Sequence, residues 1–227
     1  MTHLATSPTP PAASLKARTA WMAGLSTQEP LRTLGTVIEI GEGREIFAEG
    51  DDCDLFFKVV SGVVRTCKFL NDGRRQIEAF HVAGDVFGFE LGEERLLCAE
   101  AVSHCTVISY RRRGVETLAL NDQSVTRQLF QYAMQGLARA QEHSLLLGRR
   151  GAAEKVAAFL LGWAAHSPDR QVFSLAMSRQ DIGDYLGLTI ETVSRTLSQF
   201  ERDGVIALPN ARQVRLKNVE MLEDLAA

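Results

Sequence analysis

Between Gly35 and about Tyr110 the apolar residues come in short runs: TVIEI, DLFFKVV, VVRTCKFL, QIEAFHV and TVISY. Turn formers separate them, in GEG, EGDD, SG, NDGR and AGD. Short runs at this spacing predict antiparallel strands in a sandwich, roll or barrel. NDG at 71–73, flanked by two of the runs, predicts a hairpin. From about Arg112 the period lengthens. As far as Leu147 there is no proline and only Gly136 weakens a helix, while Val115, Leu118, Val125, Leu129 and Tyr132 recur in steps of three and four. Asp122 is the one polar member of this series, which predicts a long helix over 112–147 carrying a coiled-coil-like seam. Phe130, Ala133, Leu137 and Ala140 make a second stripe on another face. One stripe must pack on the chain's own strands; the other suggests a twin helix in a homodimer. The seam from Val115 to Tyr132 is assigned to the dimer interface. Burial of both faces within one monomer is the alternative.

Gly148 and Gly151 punctuate the chain before the apolar helix AAEKVAAFLLGWAA, and SPDR at 167–170 ends it. VFSLAM, a helix, a turn and a second helix follow, and GVIALPNARQVRLKN predicts a β-hairpin around PNAR. Ser178 and Asp181 have the spacing of a helix N-cap with a reciprocal acidic partner. Ile182 and Leu186 form that helix's buried face. Gly183 is small where another helix passes close, and Gly187 suits a left-handed turn. Thr189 caps the second helix, whose apolar face is Leu188, Val193, Leu197 and Phe200. Thr196 stands where a larger apolar residue is more usual. With the hairpin behind it, this is a winged helix–turn–helix.

The second helix of that motif enters the major groove by its first turns. Those turns hold Ile190, Glu191, Thr192, Ser194 and Arg195. An arginine pairs bidentately with guanine and a carboxylate accepts from cytosine, so Ile190, Glu191, Ser194 and Arg195 are the candidate base readers. Glu191 and Arg195, four apart, could instead be a surface ion pair. Ser178, Arg179, Thr189, Thr192, Ser198 and the wing residues Arg212, Arg215 and Lys217 are candidates for phosphate contacts.

Composition changes this picture little. The chain of 227 residues is 45% apolar and 23% charged, with a formal net charge of −3. That excludes a molecule coated in positive charge, but not local contacts to nucleic acid. Residues 148–227 hold ten basic and ten acidic residues, so the deficit lies upstream. Cys53, Cys67, Cys98 and Cys105 lack the close spacing of a zinc or iron–sulfur site and read as buried free thiols. The Pro/Ser/Thr-rich stretch 1–14 predicts a disordered arm with no signal peptide, and Leu15–Leu34 has helical character interrupted at Pro30. No apolar run approaches membrane-spanning length, and the expected location is the cytoplasm. The expected segments are an arm over 1–14, a roll with its leading helix over 15–111, a dimerisation helix over 112–147 and the winged domain over 148–227. The class is α+β.

The E-x-x-S-R core of GLTIETVSRTL resembles the recognition helix of the Crp/Fnr superfamily of bacterial transcription regulators. FHVAGDVFGFE at 80–90 is similar to the family's Fnr-type roll segment, and VVSGVVR stands at 59–65 in place of its glycine-paired turn. The likeness implies a cyclic-nucleotide-binding-like β-roll, a long dimer helix and a winged helix–turn–helix, acting as a homodimer on double-stranded DNA. It implies that Glu191, Ser194 and Arg195 read TTGA half-sites in an inverted repeat, and that RNA polymerase is a partner. Two-fold symmetry puts the half-sites about one helical turn apart, hence about six intervening base pairs. Cyclic-nucleotide binders of the family use Gly-Glu-Leu and an arginine followed by Ser or Thr; here stand Gly88-Phe-Glu90 and Arg95-Leu96. An iron–sulfur cluster of the family's kind needs N-terminal cysteines, and the first here is Cys53. His81 and His104 are the available haem ligands. What remains resembles the FixK-type branch: no cofactor, and activation of genes for low-oxygen metabolism. The competing expectation is a roll that binds a cyclic nucleotide or haem and gates DNA binding. An enzyme is not expected, because no nucleophile–base or metal constellation is legible.

Overall fold

Strand alternation sorts the side chains of the first part to two faces, one of which packs between two sheets. The computed structural model describes Leu31 and residues 34–226; the expected arm over 1–14 and almost all of Leu15–Leu34 lie outside the described residues. Eight strands follow: β1 (Thr36–Ile40), β2 (Glu45–Phe47), β3 (Leu55–Ser61), β4 (Val64–Phe69), β5 (Arg75–His81), β6 (Val86–Phe87), β7 (Cys98–Ala101) and β8 (Cys105–Arg111). They form two four-stranded antiparallel sheets, β1-β8-β3-β6 and β2-β7-β4-β5. Between the sheets lie Phe47, Phe57, Val59, Val64, Phe87 and Val107, with the Phe57 and Phe87 rings stacked at 5.3 Å. The expected hairpin at NDG joins β4 to β5, and Gly73 takes the positive φ (82°) that the turn demands.

Where the pattern predicts one helix over 112–147, the chain makes two, α1 (Arg112–Ala119) and α2 (Gln123–Leu147). Asp122 is not a member of a seam. It is the N-cap of α2, its carboxylate accepting from the Ser124 N–H at 2.8 Å. Of the residues assigned to the dimer seam, Val115 and Val125 are already buried within the monomer, and Leu118, Leu129 and Tyr132 are partly so. Val115 and Val125 are buried with Leu31, Phe56, Val86 and Tyr110 on the outer face of the first sheet, and Leu118, Leu129 and Tyr132 pack against them. Surface already withdrawn from water in the monomer has nothing left to offer a partner. The second stripe is the free one: Phe130, Met134, Leu137 and Leu145 are 65%, 44%, 50% and 75% exposed, and Ala133 and Ala140 are exposed beside them.

The remaining elements are α3 (Ala152–Ala164), β9 (Val172–Ser174), α4 (Arg179–Leu186), α5 (Ile190–Arg202), β10 (Ile206–Ala207), β11 (Gln213–Leu216) and α6 (Val219–Ala226). The wing is a three-stranded sheet, β10-β11-β9, so VFSLAM supplies a third strand to the expected hairpin. Helix α6 was not expected from the sequence; its Leu222 is fully buried, and the helix packs on α3. Leu160, Phe173, Ile182, Leu186, Val193, Leu197 and Ile206 share one core, which also takes in Val63 and Val102 from the roll. The helix–turn–helix is therefore packed onto the roll.

Candidate DNA-reading site

Both helices of the motif start where their caps say they should. Ser178 and Asp181 form a complete capping box: the Ser178 hydroxyl accepts from the Asp181 N–H at 3.1 Å, and Asp181 Oδ2 accepts from the Ser178 N–H at 3.0 Å. Gly187 ends α4 in the left-handed region, φ 64°. At Gly183 a Cβ would lie 2.7 Å from the Leu188 carbonyl oxygen, so only glycine lets the turn fold back this tightly. Thr189 caps α5, accepting from the Thr192 N–H at 3.2 Å, a contact worth about 1 kcal/mol.

Helix α5 divides cleanly. Val193, Leu197 and Phe200 are buried, each contributing roughly 1.5–3 kcal/mol by leaving water. Glu191, Arg195 and Ser198 are exposed and Ser194 half-exposed, and at 100° per residue all four fall on the opposite face. Ile190 is 38% exposed at the helix start. The alternative of an ion pair between Glu191 and Arg195 is not how the two side chains sit. Arg195 Nε donates to the Glu191 backbone carbonyl at 3.4 Å. The Glu191 carboxyl is held below its ordinary pKa by its own backbone N–H, then by the Thr189 hydroxyl, with Arg195 adding a smaller share. A carboxylate acceptor therefore stands beside an exposed guanidinium, which is the chemistry of paired cytosine and guanine edges.

The phosphate candidates fare unequally. Ser178 is withdrawn: its hydroxyl hydrogen goes to Asp181 Oδ2 at 2.8 Å, leaving no side-chain donor for a phosphate. Thr189 and Thr192 share a hydrogen bond at 3.1 Å, and the Thr189 hydroxyl also serves the Glu191 carboxylate. Arg179 is half-buried, and burial draws its pKa below the ordinary arginine value despite the opposing charge of Glu201. In the wing Arg212, Arg215 and Lys217 are exposed; Arg212 approaches Glu42 of the roll at 3.9 Å.

The effector candidates lie in the roll. Arg95 is buried, with Nη1 donating to the Gly88 carbonyl at 2.7 Å, Nη2 donating to the Leu55 carbonyl, and its plane 4.1 Å from the Phe47 ring centre. Glu90 lies 3.7 Å from the same guanidinium and also accepts from the Leu96 N–H at 2.7 Å. Nε is left as a single donor without a partner, where a cyclic phosphodiester needs a fork and a neighbouring hydroxyl. These residues do not fit a cyclic nucleotide. His81 is buried, its Nε2 2.9 Å from the Thr66 hydroxyl, while His104 lies on a surface turn. Among the described residues no three His, Cys, Asp or Glu side chains come together as metal ligands, and no helix is long and apolar enough to cross a membrane.

Residues 37–122 match the family model for the cyclic nucleotide-binding domain, and 154–225 the one for the Crp-like helix-turn-helix domain. The nitrogen fixation regulation protein FixK of Azorhizobium caulinodans is 46% identical over 197 residues, spanning 85% of this chain and 79% of that one. The chain belongs to the Crp/Fnr family, in its FixK branch. Its counterpart in Rhizobium meliloti is 43% identical over 81% of this chain and 83% of its own length. The solved structure of FixK2 from Bradyrhizobium japonicum superposes with a TM-score of 0.81 at 44% identity, covering 85% of this chain and 98% of that one. A FixK-branch member is a transcription regulator with a helix–turn–helix for DNA, and the two family models that match describe a nucleotide-binding and a helix-turn-helix domain.

Proposed function

We propose that this FixK-like regulator binds as a homodimer to an inverted repeat of the type TTGA-N6-TCAA and activates transcription without an obligatory effector. The observation that carries the reading is the split of α5: Glu191, Ser194 and Arg195 on the open face, Val193, Leu197 and Phe200 locked behind them. Two copies meet through the exposed stripe of α2, where Phe130, Ala133, Leu137 and Ala140 keep the steps of a dimer seam. Arg179, Thr189, Thr192, Ser198, Arg212, Arg215 and Lys217 supply phosphate contacts, which set affinity and its salt dependence. Effector independence is supported by Arg95, whose guanidinium is occupied by the roll's own carbonyls and Glu90. The names of the FixK relatives favour a role in nitrogen fixation genes, and RNA polymerase is the partner that activation requires. The protein works in the cytoplasm and catalyses nothing.

Gel-shift titration of effector-free protein against TTGA-N6-TCAA and a scrambled duplex tests this. Preference for the repeat is expected, and equal affinity for the two refutes the site. Binding that appears only after cyclic AMP is added refutes effector independence. Arg195→Ala should weaken the specific complex by roughly 1–3 kcal/mol and relax selection at the guanine.

A further inference from the structure

The outer face of the second sheet carries a charged cluster that DNA reading, as described, does not use. Arg65 on β4 and Arg75 on β5 both reach Asp181 on α4. Arg65 Nη1 donates to Asp181 Oδ1 at 3.1 Å, and its Nε donates to Glu100 of β7 at 2.8 Å. Arg75 Nη2 donates to the same Asp181 oxygen, and its Nε donates to Asp184 Oδ2 at 2.9 Å. All five side chains are at most one-fifth exposed. Burial pushes the Asp181 carboxyl up, but the Ser178 N–H and hydroxyl and the two guanidiniums outweigh it and hold the group below its ordinary value. The ions frame an apolar contact, in which the Tyr185 ring meets Phe80 at 5.3 Å and stacks on His143 of α2 at 4.1 Å.

This arrangement fixes α4 at separate points along its length. Asp181 holds its first turn, Asp184 and Tyr185 the next, and the Tyr185 carbonyl lies 2.8 Å from His143 Nε2 on the long helix. Helix α5 has no independent freedom, because the turn closes on Gly183 with no room for a methyl. A linked path of contacts thus runs from the roll arginines through α4 to the readers. Guanidinium forks suit such a task, since their planar geometry restricts angle as well as distance.

We propose that Arg65 and Arg75 are positioning residues for DNA reading. Through Asp181 and Asp184 they set the angle of each recognition helix against its own roll and long helix, and so the spacing the two half-sites must have. The spacing clause rests on the dimeric reading above; the angle within one chain does not.

The test therefore has two arms on the full-length protein. In the first, Arg113→Cys and Ala211→Cys carry spin labels, and labelled protein is diluted into unlabelled protein so that only intrachain distances contribute. The four native cysteines are buried, so the two exposed positions take the label. An Arg65→Gln/Arg75→Gln background should broaden or shift the distance distribution. In the second arm, duplexes with spacers from five to eight base pairs are titrated (roughly three-tenths of a turn of range about the expected spacing). The double variant should keep its base preference within a half-site while discrimination among spacers falls about tenfold, the scale of a lost coupled network. Asp184→Asn, which leaves the capping box intact, should show the same changes in smaller degree and serves if the double variant does not fold. A distance distribution as narrow and as placed as the parent's overturns the positioning role. Equal weakening on every spacer, with spacer discrimination intact, overturns its consequence for DNA. Parent protein with no spacer preference refutes the inverted-repeat reading instead, leaving the distance result to decide the angle.

Discussion

Adding a single methyl group at Gly183 should separate stability from DNA reading. Its Cβ would stand 2.7 Å from the Leu188 carbonyl oxygen and 3.5 Å from the Ile190 nitrogen. Both are backbone atoms and cannot rotate aside, so the turn itself must move. Overpacking of this kind costs roughly 1–3 kcal/mol, against a gain of about 1 kcal/mol for replacing glycine by alanine within a helix. Gly162, in the last turn of α3, has nothing within 4 Å of its Cβ position and supplies the reference. Gly162→Ala should raise Tm by about 2–4 °C, and Gly183→Ala should lower it by a few degrees at this chain length. Displacing the turn also misaims α5, so affinity for the specific duplex should drop about tenfold or more, the loss of about one base contact. Affinity for random duplex should stay the same, since phosphate contacts tolerate small shifts. Thermal melts and paired titrations on specific and random DNA provide the readout. If Gly183→Ala melts like Gly162→Ala and keeps its specificity ratio, the steric argument for the turn is wrong.

The proposed dimer face can be checked by sedimentation: Leu137→Glu should raise the dimer Kd at least about thirtyfold, as two copies each lose about 1 kcal/mol of apolar burial. Val125→Ala should leave that Kd alone while lowering monomer stability by roughly 2 kcal/mol, and the reverse pattern would restore the inward seam as the interface. For pH, burial and then the Arg139 charge push the His81 imidazole down to about 3. The unfolded chain takes up a proton near 6.5 that the native state refuses, so stability is complete above that pH and falls as pH drops toward 3. Between pH 7 and 5 the loss should be about 2 kcal/mol, and denaturant melts of His81→Gln should not show it.

How much of this was legible depended on run length and on which partners lay close in sequence. Five strands announced themselves through apolar runs between turn formers. β2, β6 and β7, with EIF, VF and CAEA, are too short or too mixed to carry a period of two. Every cap and glycine of the helix–turn–helix was readable, because those demands are met within a few residues. The two stripes of 112–147 were also visible, but not which one the roll would claim. That choice depends on Phe56, far back along the chain, joining Tyr110 in the surface that Val115 and Val125 fill. Asp122 fits both a polar seam position and an N-cap, and only the break at Leu120–Asp122 decides between them. Arg65 and Arg75 gave no signal, since their partners lie 116 and 106 positions away on the far side of a domain contact.

The two carboxylates those arginines hold bear on how this protein meets a polyanion. Residues 148–227 carry ten basic and ten acidic side chains, so alone they have no net charge to offer phosphates. Arg65 and Arg75 join Asp181 and Asp184 in one cluster with Glu100, so the roll brings one net positive charge to this contact. The roll acts as a covalently tethered counter-ion for the winged domain, cancelling acidity that salt would otherwise have to screen. Cutting the chain before Gly148 would leave Asp181 and Asp184 in the DNA-binding fragment without their guanidinium partners.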